Sequence, residues 1–148
     1  MHDDGKKVFI TSSNASILSK DFGTRLTGKY LNTEIFPFSY KFTKQKASQT
    51  SYKAYLLKGG FPEFLQQENI ETLQNLLKDI VYRDIAIRYG IRNSKVLVDI
   101  TLYLLSNIGK EISYNKLKNI FELGSTNSVS NYLSWLQDAY LLFFYRKI

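Results

Sequence analysis

The chain has no cysteine, two prolines and a single histidine, His2. Without a thiol there is no disulfide frame, no thiolate nucleophile and no Cys/His zinc site, and a lone histidine at position 2 leaves no Ser-His-Asp triad of the ordinary form. No apolar run approaches the roughly 18 to 20 residues that cross a bilayer, and the opening MHDDGKK lacks the apolar stretch of a signal peptide. These absences point to a cytoplasmic chain with no membrane partner. What is present is 148 residues, 44% hydrophobic and 15% aromatic, enough for one packed domain or two small ones. The net charge is +7, from 20 Lys and Arg against 13 Asp and Glu, and it invites a nucleic-acid reading.

The excess charge is not spread evenly. Residues 1–58 hold ten basic residues against Asp3, Asp4, Asp21 and Glu34, a balance of +6, whereas residues 59–148 hold ten against nine, a balance of +1. The shift coincides with Gly59-Gly60, so the sequence predicts two domains, 1–58 and 59–148, meeting between about residues 55 and 60.

The first domain reads as α/β. Val8-Phe9-Ile10-Thr11 has the composition of a buried strand running into the polar loop Ser12-Ser13-Asn14. Ile17, Leu18, Phe22 and Leu26 then recur at helical spacing, with Asn14 or Ser16 to cap and Gly28 to stop. Residues 30–36 read as a second strand closed by Pro37, and Ser39 caps a short basic helix through Lys46.

The second domain reads as helical. Pro62 suits the first turn of a helix. Leu73, Leu76, Leu77, Ile80, Val81 and Ile87 form the apolar face of a long helix, with Asp79/Arg83 and Asp84/Arg88 as i,i+4 pairs. Leu97, Ile100, Thr101, Leu104, Leu105 and Ile108 give the next helix its core face, ended by Gly109. Ser113 caps a helix with Leu117, Ile120 and Phe121 inward, Gly124 makes a turn, and a helix from Ser125 or Thr126 carries Val129, Tyr132, Leu133 and Leu136 inward. Residues 141–146 read as a strand. That order is the order of a winged helix-turn-helix over about 97–148. The expected fold is mainly α, with a small α/β N-terminal remnant.

The segments VFITSSNAS, LTGKY, IFPFSYKF, GGFPEF, KDIVYRDIAIRY, ISYNKLKNIF and SVSNYLSWLQDAYLLF, in this order over nearly the whole chain, resemble a prokaryotic AAA-type P-loop ATPase family with a winged-helix C-terminal domain. The resemblance implies ATP and magnesium for the full-length family, yet the chain has no GxxxxGK[ST] loop and no apolar strand ending in Asp-Glu. It therefore implies a non-catalytic fragment with no cofactor of its own. Ser12, Ser13 and Asn14 match the family's sensor-1 loop, although Ser12 stands where relatives carry Gly, and helix capping is the alternative role of Asn14. Lys29 falls where relatives carry an arginine finger, with Arg25 as a substitute; a lysine lacks the bidentate fork, and solvated charge is the alternative for both.

Two functions follow. In the first, the helical domain is a regulatory, protein-interaction module coupled to an ATPase core absent from this chain. In the second, the chain is a nucleic-acid-binding adaptor. Its contacts would be Lys110, Lys116, Lys118, Asn127, Asn131, Arg146 and Lys147, with Trp135 and Tyr140 for stacking, and the basic segment Lys41, Lys44, Lys46, Lys53 and Lys58 with Tyr40, Tyr52 and Tyr55 interleaved. The expected recognition helix carries no cation, which favours a protein partner over DNA. Self-association as a dimer or strand-swapped assembly is expected from the unpaired strand edges of 8–11 and 30–36.

Overall fold

The computed structural model describes residues 7–11, 31, 33–46 and 51–145. Among these the chain is helical and no strand is formed. The elements are α1 (Tyr40–Lys46), α2 (Tyr52–Lys58), α3 (Pro62–Gln67), α4 (Ile70–Asp79), a π-helix (Ile80–Ile87), α5 (Ser94–Leu105), α6 (Tyr114–Ile120) and α7 (Thr126–Asp138). They fall into two compact units, Leu31–Asp79 and a second that holds the π-helix, α5, α6 and α7.

The Leu31–Asp79 unit packs α1 on α2 and α3 on α4. Ser39 starts α1 as expected: its Oγ accepts from the Phe42 N–H at 3.3 Å, and the Thr43 hydroxyl donates to the Ser39 carbonyl at 3.0 Å. Ser51 caps α2 by accepting from the Ala54 N–H. The Gly59-Gly60 pair lies within this unit between α2 and α3, and Pro62 begins α3 as its residue type suggests. Gly59 takes a positive φ of 72°, while Gly60 is buried against the Phe38 backbone.

The other unit owes its core to the π-helix, α5, α6 and α7. Val81, Ile85 and Ala86 of the π-helix are buried with Leu97, Ile100 and Leu104 of α5, and Leu117 of α6 is buried with Val129, Leu133 and Leu136 of α7. The Thr101 hydroxyl is buried and donates to the Leu97 carbonyl at 2.7 Å, so its polar atom has a partner. The π-helix ends in a Schellman arrangement in which Gly90, at φ 63°, lets the Ile91 N–H reach the Ala86 carbonyl at 2.9 Å. Asn93 then caps α5 through the Val96 N–H.

Several expectations are corrected. Residues 8–11 form no strand, and Val8, Phe9 and Ile10 are exposed, because a strand persists only when a neighbour takes its backbone hydrogen bonds and none is described there. Residues 31 and 33–36 are likewise not strand; Tyr30 and Asn32 lie outside the described residues. Residues 141–145 form no strand, so the wing of the expected winged helix is not formed among the described residues. The helix expected over 14–28 lies outside the described residues.

The long helix changes character rather than running through as α. From Ile80 the turns widen to i→i+5, so burial falls on Ile85 and Ala86 and leaves Ile87 exposed, and Arg83 pairs with its neighbour Asp84 at 3.5 Å. The turn after α6 also differs. Glu122 takes the left-handed φ of 51° and lets the Leu123 N–H reach the Lys118 carbonyl, whereas Gly124 carries no positive φ.

Candidate functional site

The outer surface of α7 is set by its register. Val129, Leu133 and Leu136 go inward, which leaves Asn127, Ser130, Asn131, Ser134 and Gln137 on an exposed, uncharged polar stripe. Ser125 holds the start of the helix, its Oγ accepting from the Ser128 N–H at 3.1 Å. Ser113 does the same for α6 through the Lys116 N–H at 3.4 Å. Asn127 and Asn131 therefore reach solvent, as base contacts would require, but no cation stands on their helix.

The lysines expected to meet phosphates are arranged loosely. Lys110 and Lys116 are exposed and Lys118 is half-buried; Lys110 Nζ donates to Asn107 Oδ1 at 3.0 Å. Arg146 and Lys147 lie outside the described residues, as do Ser12, Ser13, Asn14, Arg25 and Lys29.

The aromatic residues are already engaged with one another. Trp135 stacks on Tyr89 with centroids 4.7 Å apart and planes at 15°, and meets Tyr132 edge-on at 5.5 Å. The Tyr89 hydroxyl donates to Asp138 Oδ2 at 3.2 Å, which fixes the ring in that stack. Tyr140 packs on Phe143 at 6.3 Å. Nothing local marks Tyr89 out, because its partners lie 46 and 49 residues away on α7.

The same holds for the basic segment. Tyr40 packs against Tyr52 at 5.3 Å and against Tyr55 at 5.6 Å, and the Tyr55 hydroxyl donates to the Phe38 carbonyl at 2.9 Å. Lys41, Lys44 and Lys53 are exposed, and Lys58 is paired with Glu68. The tyrosines thus build the α1–α2 packing instead of standing between lysines as free stacking platforms.

The end of α5 departs from its expected core face. Leu97, Ile100, Thr101 and Leu104 are buried, but Leu105 is 37% exposed and Ile108 81%; Leu102, which is not on the expected face, is 49% exposed. The helix ends at Leu105, so Ile108 sits in the following turn, where helical phase no longer carries it inward. Ile120 of α6 and Tyr114 at its start are also exposed. Among the described residues no cluster of His, Cys, Asp and Glu is arranged to hold a metal ion, and no helix is long and apolar enough to cross a membrane.

Comparison with known proteins corrects the resemblance to AAA-type P-loop ATPases, since no such family matches. With it goes the ground on which Ser12, Ser13, Asn14, Arg25 and Lys29 were expected to act on a nucleotide. The chain is similar to uncharacterized protein MJ1544 of Methanocaldococcus jannaschii, 37% identical over 97% of this chain and 38% of that protein. It is also similar to an uncharacterized protein of Haemophilus influenzae, 32% identical over 92% of this chain and 38% of that protein. The chain thus spans 38% of the length of these relatives. No solved structure matches it. The family model that does match, over residues 49–148, is Domain of unknown function (DUF8612), and the chain belongs to that family.

Proposed function

We propose that the helices within residues 80–145 form a protein-interaction module of a cytoplasmic protein, with no catalytic role of their own. The observation that carries this reading is the apolar end of α5. Leu102, Leu105 and Ile108 face solvent beside a well-filled core, and apolar side chains left out of a core are characteristic of surfaces that another protein covers. The order α5, α6, α7 with a tight left-handed turn between α6 and α7 supports a helix-turn-helix reading, and a wing from residues beyond α7 belongs to the same proposal. The uncharged stripe of α7 favours a protein over DNA as the partner of that helix, because phosphate contacts supply most of the affinity in nucleic-acid complexes and need cations.

Two measurements test this together. A photo-crosslinking residue placed at 105 or 108 is expected to form protein adducts in cells, while the same residue at 127 or 131 forms none. Titration of labelled duplex DNA at two salt concentrations is expected to give no binding even at the lower one. DNA binding with a steep salt slope, together with adducts only from 127 and 131, would establish the nucleic-acid adaptor in its place.

A further inference from the structure

Residues 30–36 read Tyr-Leu-Asn-Thr-Glu-Ile-Phe, and the order of residue types is the same in either direction from Thr33: polar at 32 and 34, aliphatic at 31 and 35, aromatic at 30 and 36. Leu31 is 99% exposed and Ile35 91%, and Thr33 and Glu34 are exposed with them. Among the described residues no backbone hydrogen bond runs to or from Leu31, Thr33, Glu34 or Ile35. Pro37 follows at once and has no N–H with which to extend a ladder.

A segment of strand composition with bare backbone groups is a template for another strand. The symmetry of its residue types selects a second copy of the same segment. When two such strands lie antiparallel with Thr33 facing Thr33, Leu31 of each faces Ile35 of the other. Side chains alternate along a strand, so the four aliphatic side chains and both threonines then share one face. Asn32 faces Glu34, and no like charges meet. Moving the partner by one residue puts Glu34 on the aliphatic face, and moving it by two either sets Glu34 against Glu34 or places Ile35 opposite Lys29.

We infer that residues 31–35 of two chains pair as antiparallel strands about a two-fold axis at Thr33, making the protein a homodimer. A single chain leaves these residues out of any strand because the neighbour they need is another molecule. Two strands alone hold weakly, which sets the dissociation constant on the order of 10–100 µM. The contact uses nothing of the apolar end of α5, so either reading can fail without the other.

Sedimentation velocity of the purified full chain from about 5 to about 500 µM should show monomer passing to dimer as concentration rises. Joint substitution Leu31→Ser and Ile35→Ser, both at exposed positions, should weaken the dimer about tenfold or more with the charge unchanged. The chain has no cysteine, so single thiols map the register. Thr33→Cys should form a disulfide-linked dimer readily under mild oxidation, because Cβ atoms directly opposite each other lie about 4.5–5.5 Å apart. Ile35→Cys, offset from its own copy by roughly 13 Å along the strands, should form little. A monomer at every concentration, no effect of the serine pair, or equal disulfide yields from Thr33→Cys and Ile35→Cys would overturn the inference. Mixed disulfides between Phe9→Cys and Ile35→Cys chains, in preference to Thr33→Cys dimers, would overturn it as well and give the segment to residues 8–11 of the other copy.

Discussion

Phe38 and Gly60 meet backbone to backbone. The Phe38 N–H donates to the Gly60 carbonyl at 2.7 Å, and a Cβ built on Gly60 would lie 1.9 Å from the Phe38 carbonyl oxygen. That oxygen also accepts from the Tyr55 hydroxyl at 2.9 Å, so the backbone of one residue ties the approach to α1 to the middle of α2 and to the turn into α3. Glycine at 60 is required by space, not by its backbone angles.

Gly60→Ala should therefore destabilise the Leu31–Asp79 unit by about 2–3 kcal/mol, as overpacking against backbone does. Gly59→Ala meets no atom within 4 Å, but φ 72° with ψ −165° is a region close to glycine-only, and the change should cost about 1–3 kcal/mol through backbone strain alone. Amide exchange at Phe38, followed for both variants, separates the two causes: Gly60→Ala should expose that amide selectively and Gly59→Ala should not. Protection of Phe38 retained in Gly60→Ala would mean that the contact does not hold the unit.

The turn between α6 and α7 invites the opposite experiment. Glu122 occupies a left-handed conformation that strains any residue with a Cβ, so Glu122→Gly should raise stability to urea by about 0.5–1 kcal/mol. Gly124→Ala meets no atom within 4 Å and should be tolerated. Should Gly124→Ala prove the costly change, the left-handed turn would sit where the sequence first suggested.

The Tyr89–Trp135 stack gives a built-in reporter, since Trp135 is the single tryptophan of the chain. Tyr89→Phe removes the hydroxyl bond to Asp138 and should cost about 0.5–1.5 kcal/mol while keeping the emission of the folded state. Tyr89→Ala removes the stacked ring as well, should cost at least 1 kcal/mol more, and should shift the folded emission toward that of exposed indole. An unchanged emission from Tyr89→Ala would show that Trp135 does not rest on that ring in solution.

Core and surface of α5 and the turn after it should separate cleanly. Leu104→Ala empties a buried site and should cost about 2–5 kcal/mol, whereas Ile108→Ser should change stability by less than about 0.5 kcal/mol and act instead on partner crosslinking at 105. Thermal unfolding of the two variants, compared with their adduct yields, decides whether the end of α5 belongs to the core or to an interface.

Much of the helical part is legible in the sequence because its causes are local. Ser39, Ser113 and Ser125 cap helices through their own side chains, Pro62 sits in a first turn, and Leu97, Ile100 and Leu104 or Val129, Leu133 and Leu136 share a face by spacing alone. The candidate surfaces are only half legible. The lysines of α1 and α2 are plain in the sequence, but that Tyr40, Tyr52 and Tyr55 pack together, leaving Leu56 and Leu57 outside, depends on how two short helices meet.

The sequence by itself determined that this chain has no thiol chemistry, that its positive charge gathers before Gly59, and that its second half is built from amphipathic helices. Tertiary structure alone decided which apolar runs become core. Residues 8–11 have strand composition but are exposed and form no strand, since pairing is a property of two segments and not of one. The wider turns of the π-helix choose Ile85 over Ile87 for burial, and the end of α5 at Leu105 turns Ile108 outward, because a helical face continues only as far as the helix that defines it.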